Sequence, residues 1–307
     1  APGLKLGWEK IPGLAEALGK NGVTSNYKEG MAAYTFELVQ ALKKGTAIFT
    51  MAPMPIKCAG APQKALYLSC DYWRRQGVLK DIDVWFCNAN AALFGVADYV
   101  PALMEYIKSY GVHLELGENL VAVDGAAKTA TFEKKAADGT TSRTTRKYDF
   151  LHACPSQTAH DFVKKSALAN AAGWIDVHQE TMQHVKFPNV FALGDAASTA
   201  NAKTAAAVRK QAPIVAENLL AVLDKAALPA KYTGYGVRLW RQTAADLSAL
   251  ADRRPQADAQ RLVPEGEAAP LGLLGRAPQG PRMADEIGLN TRFPGTAVRT
   301  ADPPARR

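Results

Sequence analysis

Cysteine and histidine are both scarce in this 307-residue chain, which has four Cys and five His. Cys58, Cys70, Cys87 and Cys154 include no C-x-x-C pair, which excludes a zinc ribbon and a thioredoxin-type motif. No metal site is expected. Four cysteines spread over this length are too few for a disulfide framework, and they read as buried free thiols. No apolar run approaches the roughly 20 residues that span a bilayer. RNP, zinc-finger and helix-turn-helix patterns are missing, which sets nucleic acid aside as a partner. The chain opens Ala1-Pro2-Gly3 with neither an initiator Met nor a signal peptide, so a processed or truncated start is expected.

Hydrophobic residues make up 48% of the chain and charged residues 21%, enough for a sizeable core or for two domains. The formal net charge is +8, but it is unevenly built: residues 1–236 hold 21 Lys and 5 Arg, residues 237–307 no Lys and 11 Arg. The last 71 residues also hold 8 Pro and 13 Ala and no Cys, His or Tyr. Two compositionally different pieces are therefore joined near Gly236. A basic balance admits anionic surfaces, among them a membrane.

Along the first piece, residues 45–52 read as a strand, and Pro53-Met54-Pro55 follows as a loop that cannot be helical. A helix opens at Ala61-Pro62-Gln63-Lys64, with Pro62 in its first turn, and stops at Gly77. Residues 82–87 form the next strand. A helix over 97–109, with Leu103, Tyr106 and Ile107 on one face, ends at Gly111, and residues 112–116 are another strand. This β-α-β-α-β order predicts a parallel sheet with right-handed crossovers. Residues 119–124 and 128–133 read as a hairpin around Asp124-Gly125. Ala136–Arg146 reads as a polar loop, Tyr148–Ala153 and Val190–Leu193 as strands. Lys203–Leu223 reads as a long helix that Pro213 kinks or splits. An amphipathic helix fits 237–252, and the Pro- and Gly-rich remainder reads as largely disordered.

Three segments carry chemistry. Cys58 lies just ahead of a helix start between Lys57 and Lys64, and both features favour thiolate, the nucleophilic form. A buried thiol at a strand-to-helix turn remains open beside it. In Phe191-Ala192-Leu193-Gly194-Asp195, an apolar run ending in Gly194-Asp195 places a carboxylate where α/β proteins bind ligands. An N-cap or turn role for Asp195 stays open too. In Asn201-Ala202-Lys203-Thr204-Ala205-Ala206-Ala207-Val208, small residues open a helix whose first amides can meet an anion, or simply pack.

In this order the three segments resemble the flavoprotein sulfide:quinone oxidoreductases of the mitochondrial type. The strings that carry the likeness are Pro55-Ile56-Lys57-Cys58-Ala59-Gly60-Ala61-Pro62-Gln63-Lys64, Ala92-Leu93-Phe94-Gly95-Val96, Ala172-Gly173-Trp174-Ile175-Asp176-Val177, residues 187–195, residues 203–208 and Lys231-Tyr232-Thr233-Gly234-Tyr235. The resemblance covers residues 1–235. It implies an α/β fold of two Rossmann-like dinucleotide-binding domains of the flavin disulfide reductase type, the first one incomplete. Residues 1–45 would be a remnant of the first, FAD-binding domain and residues 46–135 the second. Residues 136–236 would return to the FAD domain, and 237–307 form a divergent tail. It also implies FAD as cofactor, sulfide as substrate and a quinone such as ubiquinone as electron acceptor. Peripheral association with an energy-transducing membrane, bacterial or mitochondrial, follows, with a homo-oligomer open. Cys58 matches the redox cysteine that takes sulfide sulfur, and Asp195, after Gly194, the acid that binds the FAD ribityl chain. Lys203, Thr204 and Ala205 match the helix start beside the flavin ring, where Lys203 would stabilise negative charge on reduced flavin.

The chain departs from the family pattern twice. No G-x-G-x-x-G turn occurs, and roughly a hundred residues of the usual layout are expected ahead of Ala1. The family's second redox cysteine, in a Cys-Pro-Leu setting after Tyr-Gly-Tyr, has no counterpart, since no Cys follows Cys154. The Lys-to-Arg switch at the same point reads as a shifted frame of a GC-rich gene. Two alternatives stay open: a sulfide dehydrogenase flavoprotein donating to cytochrome c, and a non-catalytic remnant.

Overall fold

A computed structural model describes residues 2–136, 138–200 and 203–234. The strands and helices that follow are those of the described residues. In chain order the elements are β1 (Lys5–Leu6), α1 (Leu14–Ala17), β2 (Val23–Thr24), α2 (Ala32–Ala41), β3 (Gly45–Met51), α3 (Ala61–Arg75), β4 (Ile82–Asn88), α4 (Val100–Ser109), β5 (His113–Leu116), β6 (Glu118–Asp124), β7 (Thr129–Lys135), β8 (Thr141–Lys147), β9 (Phe150–His152), β10 (Gln157–Thr158), α5 (Asp161–Lys164) and α6 (Ala205–Leu223).

The central sheet has five parallel strands in the order β2-β9-β3-β4-β5. Helices α3 and α4 make the two crossovers that the strand–helix alternation predicts. Side chains alternate across the sheet as period two requires. Ala47, Phe49 and Met51 of β3, with Val84 and Phe86 of β4, face a core shared with Val39, Leu66, Cys70, Trp73 and Ile107 of the helices. Trp73 is fully buried, and its indole N–H donates to the Val39 carbonyl at 2.8 Å, so the largest core side chain leaves no polar atom unpaired. Ile48 and Cys87 face the other way, onto Leu14, Leu120, Val123, Phe132 and Leu151. This is a Rossmann-like α/β sheet with the crossover helices α3 and α4 on one face.

The opposite face is covered by a second, antiparallel sheet, β6-β7-β8. The predicted hairpin is there as β6 and β7, but Ala136–Arg146 is not a loop: β8 pairs with β7 along its whole length. The segment is polar because every β8 residue except Arg146 is exposed, so no buried face marks it in the sequence. Arg146 points inward. Its guanidinium makes two hydrogen bonds to Glu118, at 2.7 and 3.0 Å, and stacks 4.6 Å over Trp85 and 5.2 Å over Phe132. The boundary expected between residues 135 and 136 thus falls within this antiparallel sheet. β9 then returns to the parallel sheet and lies between β2 and β3. Segment 1–45, expected as part of a separate domain, contributes β2 to the same sheet and Val39 of α2 to its core.

β2 reaches β9 only because Gly22 precedes it. Gly22 has φ +81°, and a Cβ there would sit 2.2 Å from the Asp149 carbonyl oxygen. Beyond β9 the chain builds another core from Val163, Trp174, Ile175, Val177, Met182, Ala192, Ala196, Ala197 and Tyr232. The expected strand Val190–Leu193 is not a ladder strand. Its one bridge joins Phe191 to Gln183, and it runs into a 3-10 turn at Gly194–Ala196. Helix α6 is continuous through Pro213 rather than split by it. Tyr235 and the expectations for 237–252 and for a disordered tail lie outside the described residues.

At the end of β9, His152 is fully buried and stacks on Phe49. Its Nε2 accepts the Asn26 N–H at 3.0 Å, which requires an unprotonated nitrogen there. Burial lowers its pKa from the ordinary 6.5 to about 4. The unfolded chain therefore takes up a proton near pH 6.5 that the folded chain refuses until about pH 4, and stability contributed by the neutral ring falls as pH drops through that window. Urea midpoints should decline between pH 7 and 4.5, by about 2–3 kcal/mol of stability, and His152→Asn, which keeps an acceptor but cannot titrate, should flatten the decline. An equally steep decline in His152→Asn would contradict this account.

Candidate functional site

The segments singled out in the sequence meet at the carboxyl end of the parallel sheet. β3 leads into residues 52–60, where a dinucleotide fold has its glycine-rich turn. This loop contains the cis peptide Met54–Pro55 and carries Cys58, two residues before the Gly60 N-cap of α3. Cys58 is partly exposed, whereas Cys70, Cys87 and Cys154 are buried, and all four are free thiols. Burial pushes the Cys70 thiol up to about 12 and the Cys154 thiol up to about 11, and raises that of Cys87 as well. A thiol at those values is protonated at neutral pH and a poor nucleophile. Cys58 is therefore the one thiol that combines access with a position at a helix start.

The Cys58 main chain is held in the left-handed region, φ +54°, a conformation that costs a residue with a Cβ about 1–2 kcal/mol. Hydrogen bonds fix it on both sides. Its N–H donates to the Lys203 carbonyl at 2.7 Å, and Lys57 forms a parallel bridge with Lys203. Its own carbonyl accepts the Ala61 N–H at 2.8 Å and the Tyr27 hydroxyl at 3.2 Å. The Lys57 N–H donates to Gln157 Oε1 at 2.6 Å.

Lys203 joins Cys58 to the Gly194–Asp195 turn. Its Nζ donates to the carbonyl oxygens of Asp195, at 2.8 Å, and Ala197, at 2.9 Å, and lies 3.9 Å from the centre of the Trp174 ring. The ammonium is thus turned into the protein, where sequence reasoning expected it to face a cofactor. Burial lowers its pKa from 10.5 to about 8, against the raising effect of the Asp195 charge. Gly194 adopts φ +69°, a Cβ there would meet Val208 at 3.0 Å, and its N–H donates to Gln211 Oε1 at 2.8 Å. Glycine is what lets this turn press against α6. Asp195 itself is partly exposed. Thr204 caps α6, its hydroxyl accepting the Ala207 N–H at 3.2 Å. The amides of Ala205 and Ala206 are left without a partner inside the helix, as first-turn amides are.

Cys58, Gly194, Asp195, Lys203, Thr204 and Ala205 therefore lie in one connected corner. Sequence reasoning missed Tyr27, Gln157 and the use of Trp174 as a platform for Lys203. Only Trp174 lay inside a noted string. Near Lys57, Gln157 Nε2 is buried without a hydrogen-bond partner, a cost that an additional polar group at this corner would remove.

No protein-family profile matches the chain. Curated sequences do. The chain is 43% identical over 237 residues to the mitochondrial sulfide:quinone oxidoreductase of Dictyostelium discoideum, covering 76% of this chain and 51% of that protein. The matched three quarters of the chain are thus similar to the mitochondrial sulfide:quinone oxidoreductases. The Mus musculus mitochondrial enzyme is 38% identical over 235 residues, 76% of this chain and 52% of its own length. The chain thus spans about half the length of the curated relatives it matches. The sulfide:quinone oxidoreductase of Aquifex aeolicus shares the fold, with a TM-score of 0.60 at 14% identity over 81% of this chain and 67% of that one.

The Lys203–Trp174 contact has an optical signature. Below about pH 8 the group over the indole is a cation; above it, a neutral amine. Because folding lowers this pKa, the buried charge opposes folding, and that penalty is relieved as pH rises from about 8 to 10.5. The emission assigned to Trp174, taken as the difference between wild type and Trp174→Phe, should change with a midpoint near pH 8 and lose that transition in Lys203→Met. A pH-independent difference would show that the cation does not sit on the ring.

Proposed function

We propose that this protein takes part in FAD-dependent oxidation of sulfide, with Cys58 as the sulfur-accepting residue and a membrane quinone as the final electron acceptor. The observation that carries the reading is the 2.7 Å hydrogen bond from Cys58 to Lys203. It ties the main chain of the residue that bears the accessible thiol to Lys203, which lies just ahead of α6 and whose ammonium bonds the Asp195 carbonyl, in a chain similar to the sulfide:quinone oxidoreductases. The relatives' names supply sulfide and quinone, and the reading brings both to this chain.

The residues present fit one side of a flavin nucleotide. Asp195 offers a partly exposed carboxylate to sugar-alcohol hydroxyls. The first amides of α6, at Ala205 and Ala206, offer donors and the positive end of a helix dipole to a polarised ring carbonyl. Gln157 Nε2 is a further buried donor in need of an acceptor. When bound, FAD supplies a two-electron acceptor for sulfide sulfur that can pass electrons on to quinone. Cys58 presents its sulfur on a main chain held from both sides, which fixes its position relative to Lys203. Lys203 holds that main chain through its carbonyl and holds the Asp195 turn through its ammonium, so it orders the corner from within. Cys70, Cys87 and Cys154 are protonated and buried, and none is assigned a part in sulfur transfer.

Association with a membrane surface follows from the quinone and from the net charge of +8. Among the described residues no helix is long and apolar enough to cross a membrane. The mitochondrial relatives make an inner-membrane surface the place to look.

The test uses the chain reconstituted with FAD. Sulfide should bleach the visible flavin band in the wild type, and Cys58→Ser should abolish bleaching while retaining bound FAD. Reoxidation by a ubiquinone analogue but not by cytochrome c separates the quinone reading from a cytochrome-linked dehydrogenase. Bleaching that survives Cys58→Ser removes Cys58 from its role. A chain that takes up no flavin is the non-catalytic module.

A further inference from the structure

Tyr27 belongs to none of the motifs above, yet its hydroxyl reaches the Cys58 carbonyl from 31 residues away in sequence. Its placement is elaborate. Residues 25–27 follow β2 and are tied to the end of β9: the Ser25 hydroxyl donates to the Ala153 carbonyl at 2.5 Å, and the Asn26 N–H donates to His152 Nε2 at 3.0 Å. The Tyr27 N–H in turn donates to the Ser25 hydroxyl at 3.2 Å. The ring is buried in the core cluster that also holds Ile56 and Cys154. Burial, the largest influence, drives the phenol pKa far up, so the hydroxyl keeps its proton and remains a donor at any working pH.

We infer that Tyr27 is a positioning residue for Cys58: its hydroxyl pins the Cys58 carbonyl and so holds the thiol-bearing residue in its left-handed conformation. Three segments converge on this one residue, with Lys203 taking the N–H and Ala61 and Tyr27 sharing the carbonyl. Lys203 and Ala61 use main-chain atoms, which side-chain truncation leaves in place. Tyr27 uses a side-chain atom and is the variable member of the set.

The inference rests on Cys58 being the reactive sulfur of the proposed function, but its test reads thiol chemistry without flavin or sulfide, so the two can fail separately. The rates at which iodoacetamide alkylates each cysteine of the full chain are followed peptide by peptide at fixed pH. Tyr27→Phe keeps the ring and removes the hydroxyl. Cys58 should then react about three- to tenfold faster, the factor that one neutral hydrogen bond is worth, while Cys70 and Cys87 keep their slow wild-type rates. Those two thiols report global opening, which a packing role for Tyr27 would increase at all sites together. A second variant carries difluorotyrosine at position 27, with the same shape and a stronger donor, and should slow Cys58 alone. An unchanged Cys58 rate in both variants, or a parallel rise in Cys58, Cys70 and Cys87, overturns the inference.

Discussion

The hydrogen bond between the Cys58 N–H and the Lys203 carbonyl joins two parts of the chain that have separate cores. On one side is the parallel sheet with its helices and antiparallel cover; on the other is the core around Trp174, Met182 and α6. Cys58 belongs to a loop of the first and Lys203 to the helix start of the second. Neither part forms the corner alone. The ammonium of Lys203 reaches the Asp195 turn, so this one residue fixes the spacing between a thiol and a carboxylate. Chemistry that needs both depends on a lysine contacting neither through a side-chain hydrogen bond.

The sequence announced the parallel sheet because its strands are apolar on both faces and its helices end at Gly77 and Gly111. Where burial left a pattern, the pattern was readable. Where structure came from backbone pairing alone, it was not. β8 is seven residues of Thr, Ser, Arg and Lys whose partner is β7 and whose other side is solvent, so it carried no periodic signal. Val190–Leu193 misled in the opposite sense, being apolar because it lines a core, without a ladder to join. Pro213 sits in a helix long enough to continue through it.

The candidate corner was legible to the extent that its residues fall in short strings, as Cys58, Gly194, Asp195 and Lys203 do. The direction of the Lys203 ammonium was not, because its partners are main-chain carbonyls and an indole face, which leave no spacing rule. Tyr27 was invisible for the same reason: a side chain that bonds a distant carbonyl constrains no neighbour of its own in sequence. The buried cysteines were readable as inert from their apolar surroundings, and the structure adds the cause, desolvation that keeps each thiol protonated.

The position of β9 has a consequence for how the chain reaches this state. β9 lies between β2 and β3, yet it follows them by more than a hundred residues, with Thr24 paired to His152 and Phe49 to His152 on the other side. Until residue 152 is available, β3 has one edge open, lined by Ile48 and Phe49, and β2 has no strand to pair with. Closing so long a loop late makes for slow folding. It also prolongs the interval in which an apolar strand edge is exposed to other chains. The arrangement that brings Tyr27, His152 and Cys58 together thus leaves an unpaired strand edge on the nascent chain during the interval between synthesis of β3 and arrival of β9.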